Sequence, residues 1–307
     1  MQRAKGNGSV GGWRAGAVLA GLAVLAVSGG LLGGSAEPAG QASPPQPLPP
    51  PVVAAWEQAG AKVGWLRPEI GYLRFVTGEP AQAGDLPAFR LTAWTDAQVA
   101  KLPDPAVSFG LILRSTPLTD AGLKDLAHLK SLHALNLSFT RVTDAGLKDL
   151  ARLESLHELY LRFTRITDAG LKELAPLKRL QALSIGGTRI TDAGLKALAP
   201  LQSLHKLDLF NTRVTDAGLK ALTRLKSLRT LSLCQTRVTD AGLAQLAHLK
   251  DLQTLDLRLT AVTDAGLTQL AQLKGLRTLD LGYTEVTDAG IARLRAALPG
   301  CRIERTE

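Results

Sequence analysis

Five arginines, Arg141, Arg165, Arg189, Arg213 and Arg237, recur at intervals of 24 residues in this chain of 307. If residues at that interval stack, their guanidinium groups form a column suited to gripping phosphate or sulfate. The column ends at Ala261 and Glu285, and a parallel series of aspartates, Asp144, Asp168, Asp192, Asp216 and Asp240, accompanies it. Charge compensation between the two series on a solvated edge is the first reading, and anion binding through the arginines is the alternative.

Other reactive side chains are also periodic. His128 and His248 share one position of the period, and His133, His157 and His205 share another. Such placement reads as scaffold surface; His133 and His157 could hold a metal only loosely, because no cysteine or carboxylate completes a ligand set. Cys234 has Ser232 and Thr230 beside it and no base. Asp256 and Asp280 could form a carboxylate pair, but Arg258 offers a salt-bridge partner. Nothing amounts to a catalytic constellation. The expectation is a protein that is not an enzyme and has no cofactor or resident metal.

The positions of these residues are set by eight copies of Thr-Asp-Ala-Gly-[Leu/Ile], beginning at Thr119, Thr143, Thr167, Thr191, Thr215, Thr239, Thr263 and Thr287. A fixed period of this kind marks a solenoid of stacked units. In the unit Thr119–Val142, apolar residues fall at helical spacing (Leu123, Leu126, Leu129, Leu132), then at strand spacing (Leu135, Leu137), then at Val142. The unit is therefore a short helix, a turn and a short strand. Thr119 is a natural N-cap, Asp120 complements the positive helix end, and Gly122 leaves room for the neighbouring unit. Pro176 and Pro200, at the tenth position of their units, end the helix near position nine. One such unit cannot offset its own ordering entropy, so stacking must supply the rest and the ends must be sealed.

Residues 95–118 read as a worn ninth copy, so the array runs over 95–286. Residues 52–94, with Trp56, Trp65 and Trp94, are expected to form an N-terminal cap of helix and strands. Residues 287–307 form a last partial repeat and a closing strand. Residues 37–51 contain seven prolines and read as an extended spacer. Residues 1–36 resemble a secretory signal, with Arg3, Lys5 and Arg14, an apolar run from Ala15 to Val27, and small residues before a cut after Ala36. The rival is a membrane anchor over the uncharged stretch Ala15–Leu32, giving a membrane tether. Either way the repeats are expected outside the cytoplasm. Formal net charge is +9; without the three basic leader residues, 33 basic groups face 27 acidic ones, or +6, too modest to imply specific nucleic-acid binding. Cys234 and Cys301 lie in units three apart, beyond disulfide reach, so free thiols or an intermolecular pair are expected.

The segment Leu132, Leu135, Leu137, Thr140 gives the pattern LxxLxLxxT. It resembles the leucine-rich repeat, with threonine in the usual asparagine place. With TDAGL it is similar to a bacterial 24-residue subtype related to the cysteine-containing repeats of F-box ubiquitin-ligase receptors. The resemblance covers about residues 95–307. It implies an α/β leucine-rich repeat solenoid: a horseshoe with a concave parallel sheet and convex short helices. It also implies that Thr116, Thr140, Thr164, Thr188, Thr212, Thr236, Thr260 and Thr284 take the asparagine ladder's role, bonding to adjacent backbone. No F-box-like segment precedes the array, and the family's ligase function is not carried over.

Residues flanking the strand leucines should face outward on the concave side. Aromatics are 4% of the chain, yet Phe139, Tyr160, Phe163, Phe210 and Tyr283 all fall in these columns. Together with Arg162, Asn211, Asp256 and Arg258 they are the candidate contacts for a protein or peptide partner. Gly186 and Gly187, between Phe163 and Phe210, should leave a notch for an extended ligand. The plainer alternative is that Phe139 and Phe163 pack together to cover the sheet end. The expected function is an exported protein-binding module. The alternatives are binding of an anionic polymer or glycan through the arginines, and a spacer with no ligand.

Overall fold

A computed structural model describes residues 45–69, 72–94 and 99–306, and the second of two compact units, Ala42–Glu307, contains all of them. The leader, most of the spacer and the first residues of the worn repeat lie outside the described residues. Helix α1 (Pro50–Gln58) starts inside the stretch read as spacer: its first-turn prolines need no hydrogen-bond donor and are pre-set for helical φ. A hairpin follows, β1 (Lys62–Glu69) and β2 (Tyr72–Val76), then β3 (Leu86–Arg90) and β4 (Phe109–Ile112).

Each repeat then contributes a short helix and a strand. The strands are β5 (Leu132–Asn136), β6 (Glu158–Tyr160), β7 (Ala182–Ser184), β8 (Lys206–Asp208), β9 (Thr230–Ser232), β10 (Thr254–Asp256), β11 (Thr278–Asp280) and the closing β12 (Arg302–Glu304). Among the described residues all twelve form one sheet in the order β12 to β3, then β1, then β2. From β3 to β12 every pairing is parallel, and equivalent residues of successive repeats are opposed, as in Leu135 with Leu159 with Leu183. The antiparallel hairpin ends the stack at the N-terminus.

The seven aliphatic positions expected in Thr119–Val142 are all fully buried, and one apolar cluster runs from Leu48 to Ile303. Trp56 fuses the cap to it, stacking on Phe89 with ring centroids 4.3 Å apart and meeting Phe109 edge-on at 6.1 Å. On the opposite sheet face Leu66 lies over Gly110, so the hairpin covers the outer side of the first strands. The helices of the first seven repeats end by position eight, and the last, Asp288–Ala297, runs to position eleven; in the two proline-containing repeats they stop at Glu173 and Leu195, the latter followed by a 3-10 turn.

Two corrections concern what ties the repeats together. Each ladder threonine from Thr116 to Thr284 donates its hydroxyl to a carbonyl three residues back in its own repeat, as Thr140 Oγ1 does to Leu137 O at 2.7 Å. A hydroxyl on a short side chain reaches its own turn, not the next unit. The link between repeats comes instead from the motif aspartate. Asp192 Oδ1 accepts from Thr215 N–H at 2.8 Å and Oδ2 from the Thr215 hydroxyl at 2.7 Å. The same double contact joins Asp120 to Thr143 and recurs at every junction through Asp264 to Thr287. The aspartates are thus engaged by the following repeat's threonine, and among the described residues none is paired with the arginine column. Glycine at the fourth motif position is required by this contact: a Cβ on Gly218 would overlap Asp192 Oδ1 and come 3.0 Å from its Cγ. Motif threonines from Thr143 to Thr263 also cap their helices, accepting from the alanine N–H two residues on.

In the repeat that begins at Thr287, Asp288 pairs instead with Arg305 at 2.7 Å. Arg302 and Glu304 pair at 2.7 Å on β12, placing charge on an edge that would otherwise invite strand addition.

Candidate functional site

Two columns follow each repeat strand. The first holds Ser138, Arg162, Gly186, Phe210, Cys234, Arg258 and Gly282, alternating small buried residues with large half-buried ones. Large side chains lie over small neighbours: Arg162 crosses Gly186 and brings its guanidinium carbon 5.3 Å from the Phe210 ring centroid. Its Nε is 2.7 Å from Asp208 Oδ2, but that N–H has no hydrogen-bond geometry, so the contact is an ion pair only. Arg258 makes a two-point contact with Asp256, at 3.0 and 2.9 Å, and an ion pair with Asp280 at 3.2 Å. Burial raises the Asp280 pKa against the opposing Gly282 N–H and Arg258, with Asp256 and Glu304 adding to the rise.

The second column holds Ser115, Phe139, Phe163, Gly187, Asn211, Gln235, Leu259 and Tyr283, and every one has φ between 48° and 68°. The chain turns out of the strand here with a left-handed residue in each repeat. For a residue with a Cβ that conformation costs roughly 1 to 2 kcal/mol. Among the described residues the exposed large hydrophobic side chains are Phe139 (44%), Phe163 (40%), Leu259 (48%) and Tyr283 (58%), and all four stand in this column.

The expected notch is closed. The Phe163 ring occupies the space a Gly187 side chain would need, with Cδ1 and Cε1 2.5 Å from where a Cβ would stand, and Arg162 covers Gly186. Phe139 stacks on Phe163 at 4.7 Å, Phe163 meets Phe210 edge-on at 6.2 Å, and Arg114 lies 4.8 Å from the Phe139 centroid. The structure thus gathers Phe139, Phe163, Phe210 and Arg162 into one cluster. Tyr160 is half-buried and donates its hydroxyl to Glu158 Oε2 at 2.6 Å; burial, then the Glu158 and Asp208 charges, raise its pKa well above the usual range. Asp256 and Arg258 form a separate cluster several repeats away, and Asn211 and Tyr283 are exposed in the left-handed column. Leu259 belongs with Tyr283 although it was not among the candidate contacts. Its signal was present in the sequence as an aliphatic residue where the adjoining repeats carry glutamine and tyrosine.

The histidine rings of His133 and His157 stack face to face at 4.4 Å with a 7° interplanar angle, an arrangement that does not aim their lone pairs at one point. Burial lowers the His133 pKa, and the His157 and Arg179 charges lower it further against a hydrogen bond to Ser131. No group of three histidine, cysteine or acidic side chains suited to a metal occurs among the described residues. Both cysteines are free and buried. Burial, aided by Asp256, Asp280 and Asp208 and opposed by Arg258, pushes the Cys234 thiol up to about 12; burial alone takes Cys301 to about 11. Among the described residues no helix is long and apolar enough to cross a membrane.

Comparison with known proteins agrees with this geometry. No curated protein matches the chain. Among solved structures it is similar to an internalin, inlF, from Listeria monocytogenes, with 25% identity and a TM-score of 0.55 over 67% of this chain and 56% of that one. The chain therefore aligns with little more than half of that protein's length. It is also similar in fold to internalin C2 of the same organism, at 23% identity and a TM-score of 0.55 over 84% of this chain and 93% of that one. The family model of the leucine-rich repeat region matches residues 113–297, most of the chain, and with the stacked strands, buried leucines and 24-residue period it makes this protein a member of the leucine-rich repeat family.

Proposed function

We propose that this is an exported, non-enzymatic protein-interaction module that binds a protein or peptide along the C-terminal border of its repeat sheet. One observation carries the proposal: the exposed large hydrophobics of the described residues share a single column, and that column has left-handed backbone. Glycine or asparagine would serve such a turn at lower cost, and polar residues would serve an exposed position equally well. Phenylalanine, leucine and tyrosine there meet neither need, and exposed apolar rows of this kind are what partner surfaces present. Phe139 and Phe163 form one anchor region, flanked by Phe210 and Arg162. Leu259 and Tyr283 form a second, beside the charged cluster of Asp256 and Arg258. Asn211 lies between them. Export rests on the leader-like residues 1–36, and localisation at the cell envelope follows from it.

The test uses affinity capture from envelope extracts with the wild-type protein and with a variant carrying Phe139→Asn, Phe163→Asn, Leu259→Asn and Tyr283→Asn. Asparagine tolerates the left-handed conformation, so the variant should stay folded. A partner captured by the first and lost by the folded second supports the proposal. Equal capture by both overturns it.

A further inference from the structure

The arginine column lies beside the left-handed column yet is absent from the proposal above. Arg141, Arg165, Arg189, Arg213 and Arg237 are all exposed. Their backbone N–H groups donate to Leu118, Val142, Ile166, Ile190 and Val214 of the preceding repeat at 2.9 to 3.4 Å, which fixes the five in register. The aspartates that the sequence offers as counterions, Asp144, Asp168, Asp192, Asp216 and Asp240, are instead bound to threonines of the following repeat. Among the described residues no acidic side chain pairs with any of the five guanidinium groups. Gly187, Arg189, Asn211, Arg213, Gln235 and Arg237 line an open groove of about 370 Å³. The ladder is finite: Pro117 precedes it and Ala261 ends it.

We propose that this groove binds a linear anionic polysaccharide carrying one carboxylate or sulfate per sugar, laid along the stack. Strands spaced ~4.8 Å apart set the guanidinium groups at about the length of a pyranose unit, so five span ~19 Å. Each planar guanidinium offers a two-donor fork to a planar carboxylate or to a sulfate. The amides of Asn211 and Gln235 add donors and acceptors for sugar hydroxyls between the charges. A nucleic acid fits less well. The phosphates of a duplex strand wind around the helix axis and leave a straight ladder after a few residues, and the groove presents glycine and amides where single-stranded binders place stacking aromatics. The arginines are exposed to solvent, so affinity should be moderate and salt-dependent.

The experiment measures binding of fluorescent heparin and polygalacturonate oligosaccharides to the full chain by anisotropy at several salt concentrations. Neutral dextran and a single-stranded DNA oligomer run in parallel. The variant is Arg189→Gln/Arg213→Gln/Arg237→Gln, with Arg213→Gln alone as a milder version. The control is Arg229→Gln/Arg277→Gln, which removes two charges from a separate basic pocket lined also by Lys250 and Lys274. The expected result is binding of at least one acidic sugar. It should weaken about tenfold or more in the triple variant, with the log–log salt slope reduced by about 2, and stay unchanged in the control. Heparin preferred over polygalacturonate assigns the ligand as sulfated, and the reverse as carboxylated. Failure to bind either sugar, equal binding by the triple variant, or tighter binding of DNA overturns the proposal. Because the four hydrophobic positions of the protein-binding column are untouched, this outcome is independent of the capture experiment.

Discussion

Gly218→Ala isolates the contact that joins one repeat to the next. On helix propensity alone, replacing glycine by alanine inside the helix Asp216–Leu222 should stabilise by about 1 kcal/mol. The structure predicts the opposite sign. The new Cβ would overlap Asp192 Oδ1 and stand 3.1 Å from Leu195 Cδ1, so the carboxylate must leave Thr215. Two hydrogen bonds to a charged acceptor are then lost from a part-buried site. At roughly 1.5 to 3 kcal/mol for a bond to an ion, discounted for partial solvation, the loss should be about 2 to 4 kcal/mol. Asp192→Ala removes the same two bonds and should cost a similar amount, because Thr215 N–H is left without its acceptor. The double variant removes the obstacle along with the bonds. It should therefore be less destabilised than the sum of the single variants by about 2 to 4 kcal/mol, the loss that both share. Urea midpoints from circular dichroism, with amide exchange at Thr215 as a local readout, measure all four corners of this cycle. Additive single effects, or a stabilising Gly218→Ala, would refute the account of the motif given above.

Other consequences are open to simple assays. Leu259→Gly should raise the urea midpoint slightly, by the equivalent of about 0.5 kcal/mol, since relief of the left-handed backbone exceeds the entropy of the added glycine; a lower midpoint would show that Leu259 packs into the scaffold. At pH 8 a thiol with a pKa near 12 is ionised in only about one molecule in ten thousand, so Cys234 should resist a thiol reagent until urea unfolds the chain, and Cys301 should behave alike. Rapid labelling of the native protein would contradict their burial. Burial would raise the Asp85 pKa, but the hydrogen bond from Arg67, the Gln82 N–H and the Arg67 charge together lower it. A carboxylate lowered on folding stabilises above its unfolded pKa, and that contribution fades as pH falls through the folded value. The cap hairpin should therefore loosen first in acid, seen as faster amide exchange in β1 and β2 below about pH 4, and Asp85→Asn should remove that pH dependence.

The sequence by itself determined the period, the order of helix and strand within each unit, the seven buried aliphatic positions and the need for caps. These follow from local spacing: leucines at helical and then strand intervals can be buried together in only one way, and eight repetitions leave the phase unambiguous. It also carried a sign of the inter-repeat link, because the glycine of TDAGL recurs in every copy and a glycine kept mid-helix implies something lying against it. What lay against it could not be read there. Asp192 and Thr215 are 23 residues apart, and nothing local distinguishes an aspartate serving its own helix end from one reaching the next unit. The notch failed for the same reason. Gly186 and Gly187 seem empty along the chain, but across the stack Phe163 and Arg162 of the preceding repeat fill the space. Left-handed φ at Phe139, Phe163, Leu259 and Tyr283 was likewise a tertiary outcome, since hydrogen bonds from their N–H groups to the following repeat hold a backbone these residues would not adopt alone. In a stacked array, local pattern decides what a unit is, and its neighbours decide which side chains remain free to meet a partner.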